Sequence, residues 1–366
     1  MQARFLLGPA GSGKTFRCLA EIRAALHAVP DGPPLILLAP KQATFQLERQ
    51  LLGWGESPRE PLPPAGQSPP GVSPHRLFGY TRLHILSFER LAQFVLAELG
   101  VTPPALLSEE GRVMVLRALL LRHQSELKIF RASARLTGFA QQLSLLLRDF
   151  QRQQLSPARL DKLAAQLDAP RPLRDKIHDL ALLLRAYGDW LQTHDLQDAN
   201  HALDVAVSAL RIPHCALRIS ALWLDGFAEM TPQELDLLAT VMPFCERATL
   251  AFCLEREPLS EPSWLSTWSV VAQTFRHCHA RLAALDGCQV GIETLTNEPG
   301  QGRFAASETL RNLEANWSSP VTHPASRITT PPSGSSNVPT PKPRRCSPRA
   351  KFYATFAPVD VVATAR

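Results

Sequence analysis

The residues Gly8-Pro9-Ala10-Gly11-Ser12-Gly13-Lys14-Thr15 fit the pattern G-x-x-x-x-G-K-[ST] in full, and they constrain this chain more than any other stretch of it. A short apolar run, residues 4 to 7, ends on Gly8. A stretch with helical periodicity then runs from Lys14 to about Val29, where Pro30-Asp31-Gly32-Pro33-Pro34 stops it. The motif thus sits between a strand and a helix, the context a phosphate-binding loop requires. Glycines let successive backbone N–H groups turn toward phosphate oxygens, and the following helix offers its positive end. The pattern therefore predicts an ATP site in which Gly8, Gly11, Ser12 and Gly13 shape the cradle. Lys14 would neutralise the β and γ phosphates, and Thr15 would give a hydroxyl to Mg²⁺. The competing reading is a glycine-rich turn that binds nothing.

Further along, the pattern reads as an α/β fold. Leu35 to Ala39 is a continuous apolar run, as expected of a strand covered on both faces of a parallel sheet, and a helix is expected from Thr44 to Leu52. Residues 53 to 75 are rich in Pro, Gly and Ser and read as a loop insertion. Leu83 to Leu86 reads as a strand, with Ser87 as N-cap of the next helix. From 108 to 210 helical periodicity is nearly unbroken, and then Ile219 to Leu224 forms another apolar run, closed by Asp225-Gly226-Phe227. Thr231-Pro232-Gln233-Glu234 is a capping box, followed by strands near 249 to 254 and 289 to 295 and a helix around 263 to 285. The expected organisation is a P-loop (RecA-like) parallel-sheet domain at 1–105, an all-helical subdomain at 106–212, a return to the sheet domain at 213–318, and a disordered or aberrant tail at 319–366.

Charge and cysteine usage narrow the classes. The net charge of +6 lies wholly in residues 321 to 366, where seven basic residues face one acidic one, so the first 320 residues are formally neutral. Bulk charge therefore gives no evidence for a DNA-binding surface. Seven scattered cysteines without Cys-x-x-Cys pairing suit reduced thiols, and with the motif close to Met1 they lead to the expectation of a cytoplasmic protein. No apolar run is long enough to span a bilayer, so no membrane association is expected.

A triphosphatase needs a second acid to hold Mg²⁺ and a base to activate water. Asp225, at the end of an apolar run, is the candidate for the metal, against the alternative of a simple turn former. Helicase-type motors commonly place a glutamate directly after that aspartate, and here the position is Gly226. Binding with slow or absent hydrolysis is the expectation, with Glu229 the nearest substitute acid. Lys41, Gln42, Thr44 and Gln46 follow one strand and Arg82, Ser87, Phe88 and Arg90 surround another, residue types that reach phosphates or stack bases. The simpler reading, favoured on sequence alone, makes Phe45 and Phe88 core residues and the charges solvated.

Taken in order, several segments resemble the N-terminal part of the AddB-type (RexB-type) subunit of the ATP-dependent helicase/deoxyribonuclease. They are Gly8 to Thr15, Leu38-Ala39-Pro40-Lys41-Gln42-Ala43-Thr44-Phe45-Gln46, Leu86-Ser87-Phe88-Glu89-Arg90-Leu91, Lys176-Ile177-His178-Asp179-Leu180, Tyr187, Asp225-Gly226-Phe227 and Thr231-Pro232-Gln233-Glu234. The resemblance covers residues 1 to about 317. It implies a superfamily 1 helicase-like fold, an AddA-type helicase-nuclease partner, DNA as substrate, and a role in double-strand break repair by recombination. The family's nuclease domain and cysteine-ligated iron–sulfur cluster are not expected in this sequence. The Pro- and Arg-rich tail after Pro320 departs from the family and reads as the product of a truncation or frameshift. Two alternatives stay open: an active DNA-stimulated P-loop ATPase, and a non-catalytic protein whose helical region binds a partner.

Overall fold

A computed structural model describes residues 1–52, 80–102, 105–166, 171–198, 201–212, 217–260, 263, 265–296 and 307–316. These lie within one compact unit, Met1–Ser318. The expected loop insertion at 53–75 and tail at 319–366 fall outside the described residues.

The chain opens with β1 (Gln2–Gly8), α1 (Lys14–Ala28), β2 (Leu35–Leu38), α2 (Thr44–Leu51), β3 (Leu83–Leu86) and α3 (Phe88–Glu98). A helical stretch follows: β4 (Leu106–Leu107), α4 (Glu109–Arg122), α5 (Thr137–Arg152), α6 (Pro157–Gln166), α7 (Arg171–Thr193) and β5 (Gln197–Asp198). The remainder is α8 (Ala202–Leu210), β6 (Ile219–Leu224), α9 (Pro232–Val241), β7 (Cys245–Cys253), α10 (Ser269–Ala283), β8 (Gln289–Thr294) and α11 (Glu308–Asn316).

Six strands form one sheet in the order β3-β2-β6-β7-β1-β8, and every neighbouring pair is parallel. A parallel sheet needs helical crossovers, and these cover both faces. This explains why β2 is Leu-Ile-Leu-Leu with no polar residue. Leu35 and Leu37 pack with Leu19, Ile22 and Leu47 of α1 and α2, whereas Ile36 and Leu38 join Leu91 and Val95 of α3 and Leu237 and Val241 of α9. Helix starts follow local chemistry: the Ser87 side chain caps α3, and Thr231 with Glu234 completes the capping box of α9. Strand β7 is longer than its sequence pattern suggested, because its first residues pair with β6 through Ile219↔Cys245 and Ala221↔Arg247. Three free cysteines, Cys18, Cys245 and Cys278, are buried in these cores, and burial pushes each thiol up to about 12, which keeps it protonated.

The helical stretch has its own core, built from residues such as Leu116, Leu120, Leu143, Leu147, Leu183 and Tyr187. Its two ends meet in a two-stranded parallel ladder, with Leu106 opposite Gln197 and Leu107 opposite Asp198. Beside this ladder Arg112 donates to both oxygens of Asp198 at 3.1 and 3.0 Å and to Ser144 Oγ at 2.8 Å. The Tyr187 hydroxyl donates to Asp198 Oδ2 at 2.8 Å. Burial, together with the carboxylate, pushes the Tyr187 phenol upward, so it stays a donor. Helix α8 follows the ladder, yet Leu203, Ala206, Val207 and Leu210 join the sheet's core with α3 and α9.

Asp179, on α7, is fully buried and fixes the turn after α4 by accepting the backbone N–H groups of Lys128, Ile129 and Phe130 at 2.8 to 3.1 Å. Burial alone would raise this carboxyl; the three amides and His178 outweigh it and hold it below the usual carboxylate range. A carboxyl depressed on folding contributes stability that is present above the unfolded value, about pH 4, and is lost as pH falls through the folded one. Asp179→Asn should therefore cost about 2 kcal/mol at neutral pH and remove part of the acid dependence. Urea unfolding at pH 7 and below pH 4 measures both.

Candidate nucleotide site

The loop between β1 and α1 is shaped by residues that only glycine serves well. Gly11 and Gly13 have φ of 80° and 85°, in the left-handed region. A β-carbon on Gly8 would lie 2.3 Å from Ser12 Oγ and 3.0 Å from the Leu295 carbonyl oxygen. Ser12 N–H donates to Pro9 O at 3.3 Å, closing a turn. Helix α1 then starts without a side-chain cap and without an acid in its first turn, so its positive end is not neutralised locally. The Lys14 ammonium donates to Gly8 O at 2.7 Å and Pro9 O at 2.6 Å. Burial lowers its proton affinity, partly countered by Cys253 and Asp225.

From the other side comes Asp225, buried at the end of β6, its N–H bonded to Leu38 O at 3.0 Å. The Thr15 hydroxyl donates to Asp225 Oδ2 at 2.5 Å across a separation of 210 residues. Strand β7 lies between β1 and β6, so the parallel ladders bring the carboxyl ends of both strands to one edge. A hydroxyl beside one carboxylate is a hard-oxygen pair that suits Mg²⁺, which keeps several water or phosphate ligands rather than an all-protein cage. Among the described residues no group of three or more His, Cys, Asp or Glu side chains is arranged to hold a metal alone.

The residues after Asp225 have local reasons. Gly226 has φ of 85°, and a β-carbon there would lie 3.2 Å from Pro40 Cδ. The backbone thus favours glycine at the position where a motor would carry its glutamate. Phe227 packs against Phe88, with ring centroids 5.2 Å apart. Glu229 is exposed.

The residues proposed from sequence for DNA contact separate into two groups. Lys41 and Gln42 are exposed in the turn that precedes α2, and Phe45, in the first turn of that helix, is 67% exposed with the Arg49 guanidinium 6.0 Å from its ring centre. Arg82, Ser87 and Phe88 are all buried. Arg82 donates to the carbonyls of Ala25 and Pro33 at 3.3 and 3.4 Å, Ser87 caps α3, and Phe88 is 2% exposed within the core. The simpler sequence reading thus holds for Phe88 and fails for Phe45. Two residues that frame the loop escaped the sequence: Cys253 pairs with Gly8 in the β1–β7 register, and Leu295 N–H donates to Leu7 O at 2.8 Å. Both are non-local pairings that leave no signal within a window of sequence.

The architecture that carries this site is an α/β fold with a six-stranded parallel sheet and a long helical insertion. Residues 5–314 match the family model described as ADDB, N-terminal, and the chain belongs to that family. It is 38% identical over 268 residues to the B subunit of the ATP-dependent helicase/deoxyribonuclease of Heliobacterium modesticaldum, covering 72% of this chain and 20% of that protein. The protein of the same name from Symbiobacterium thermophilum is 34% identical over 323 residues, 85% of this chain and 25% of the relative. That from Moorella thermoacetica is 34% identical over 325 residues, 87% and 26%. The chain therefore spans a fifth to a quarter of the length of these relatives. Among the described residues no helix is long and apolar enough to cross a membrane.

The backbone at Gly226 gives a direct test. Gly226→Ala should destabilise the chain by about 1–2 kcal/mol through left-handed strain and the Pro40 contact. Gly188→Ala, in α7 with nothing within 4 Å of the added carbon, should stabilise it by about 0.5–1 kcal/mol. Paired denaturant titrations distinguish the two.

Proposed function

We propose that this chain is the helicase-like, ATP-binding part of an AddB-type protein, and that it holds Mg²⁺–ATP between the Gly8–Thr15 loop and Asp225. One observation carries the reading: Thr15 and Asp225, 210 residues apart in sequence, meet at 2.5 Å beside an uncapped helix end. With nucleotide bound, Lys14 would turn from the loop carbonyls to the phosphate oxygens, and Thr15 and Asp225 would hold the metal in place of their mutual hydrogen bond. Bound Mg²⁺ supplies charge neutralisation to the phosphates. Hydrolysis is slow or absent, because the left-handed backbone and Pro40 disfavour an acid at 226 and Glu229 lies in the exposed turn beyond it.

The relatives' name, which makes each of them part of an ATP-dependent helicase/deoxyribonuclease, supports placing the chain in a DNA-processing complex. The wider reading is a partnership with an AddA-type helicase-nuclease that resects double-strand breaks for recombinational repair, with Lys41 and Gln42 among the residues facing DNA. A second reading, a non-catalytic partner-binding module, is favoured by α4, whose outer face exposes Met114 at 72% and Leu121 at 48%.

Equilibrium binding of Mg²⁺–ATP, with steady-state turnover measured in parallel with and without single-stranded DNA, tests the reading. Saturable binding lost in Lys14→Ala, without turnover above background, is the expected result. DNA-stimulated turnover that Lys14→Ala abolishes would make the chain a motor and refute the assignment to Gly226.

A further inference from the structure

Strands covered on both faces of a parallel sheet are apolar throughout. The face that β1, β6 and β7 turn to α9 and α10 keeps that rule with Ala3, Phe5, Leu222, Ala248 and Leu250. The face turned to α1 breaks it toward the amino ends of the strands. In the β1–β7 register Gln2 stands opposite Arg247 and Arg4 opposite Thr249, with Trp223 of β6 on the other side of Thr249. Over them α1 presents Glu21 and then three alanines, Ala24, Ala25 and Ala28, and a cavity of about 550 Å³ is left between helix and sheet. The phosphate loop, which begins at Gly8 at the other end of β1, contributes nothing to its lining.

The charges around this cavity do not cancel. Arg4 is matched: its guanidinium donates to Glu21 Oε1 at 2.5 Å, Glu293 Oε2 at 3.1 Å and Thr249 Oγ1 at 3.0 Å. Glu21 is matched as well, because Arg17 Nε and the Trp223 indole N–H also donate to it, at 3.2 and 3.1 Å. Arg247 is left over. Its guanidinium lies 5.9 Å from the centre of the Trp223 ring, and among the described residues no carboxylate pairs with it. Stacking on an indole orients a guanidinium and leaves its N–H edge open to an oxyanion. Two further donors belong to the same face. Thr249 accepts from Arg4 and so keeps its own proton to donate, and Arg4 Nε is buried without a partner among the described residues. The carboxyl end of α1 borders the cavity, but the Ala25 carbonyl accepts from Arg82 at 3.3 Å and from Val29 N–H at 3.2 Å. Its partial negative charge is therefore small against a whole guanidinium.

We propose that this cavity binds a small organic anion, a phosphate monoester or a carboxylate carried on a compact apolar body. The oxyanion pairs with Arg247 and accepts from Thr249, and the body fills the space that the three alanines leave. The site is separate from the one proposed for the nucleotide and does not depend on it.

The test is calorimetric titration of the full 366-residue chain with phenyl phosphate, with benzoate and, as a neutral control, with benzyl alcohol. Lys14→Ala serves as the background, so that an anion seated on the phosphate loop is not counted, and Arg247→Ala and Ala24→Leu are each added to it. The expected result is saturable binding of at least one of the two anions to the Lys14→Ala chain and none of benzyl alcohol. Arg247→Ala, which removes the charge, and Ala24→Leu, which fills the cavity, should each weaken that anion about tenfold or more. Preference for phenyl phosphate or for benzoate then identifies the acid group of the ligand. Absence of saturable anion binding in the Lys14→Ala chain would overturn the proposal, and so would an affinity that Arg247→Ala leaves unchanged. An affinity lost in Arg247→Ala and kept in Ala24→Leu would overturn it too, by placing the anion on the strand surface outside the cavity. Benzyl alcohol binding as tightly as the anions would refute recognition by charge.

Discussion

The contact between Thr15 and Asp225 is the geometric fact on which the rest of the site depends. It is not local: one residue begins α1 and the other ends β6, with β7 between their strands. Only a parallel sheet brings the carboxyl ends of β1, β7 and β6 to one edge, and only helices on both faces keep such a sheet dry. The leucine-rich strands, the helical crossovers and the capping residues are thus conditions for a single hydroxyl–carboxylate pair. At that edge a loop that needs glycine at three positions presents an uncapped helix end. Such an edge offers N–H donors that suit an anion and oxygens that suit a hard cation.

The long insertion leaves the sheet without disturbing it because its ends are tied to each other. The ladder between β4 and β5 closes the excursion, and Arg112, Asp198, Ser144 and Tyr187 satisfy one another in the dry space beside it. Removing either Arg112 or Asp198 leaves the other's buried charge uncompensated, a larger loss than the pair's own net contribution. The same logic explains Asp179, a buried carboxylate that gathers three backbone amides and so fixes a turn far along the chain.

Most of the sheet and the glycine-bearing turn between β1 and α1 were legible in the sequence, because both depend on local signals. Leu35–Leu38 and Leu83–Leu86 are apolar runs bounded by breakers, and the Ser87 cap and the Thr231–Glu234 capping box are written in adjacent residues. Asp225 was legible as an acid at a strand end, but its approach to Thr15 was not, since no sequence window contains both. The burial of Arg82, Ser87 and Phe88 was not legible: an arginine bonded to two carbonyls, a capping serine and a core phenylalanine have the same letters as a DNA-contacting trio. The β4–β5 ladder, two residues a side, carries no pattern to detect. Gly226 was read as a missing acid, and the structure adds the reason for the glycine, a left-handed backbone against Pro40.

The most direct test of the account is a double-mutant cycle on nucleotide affinity, with Thr15→Val, Asp225→Asn and the double variant titrated with ATP in the presence and absence of Mg²⁺. If both residues serve one metal ion, each single variant abolishes the gain in affinity that Mg²⁺ brings. The double variant then loses little more than either, the non-additivity expected of groups that share one ligand. Affinity that is independent of Mg²⁺ in wild type, or losses that simply add, would contradict a shared metal and with it the central claim that the sheet exists to bring these two residues together.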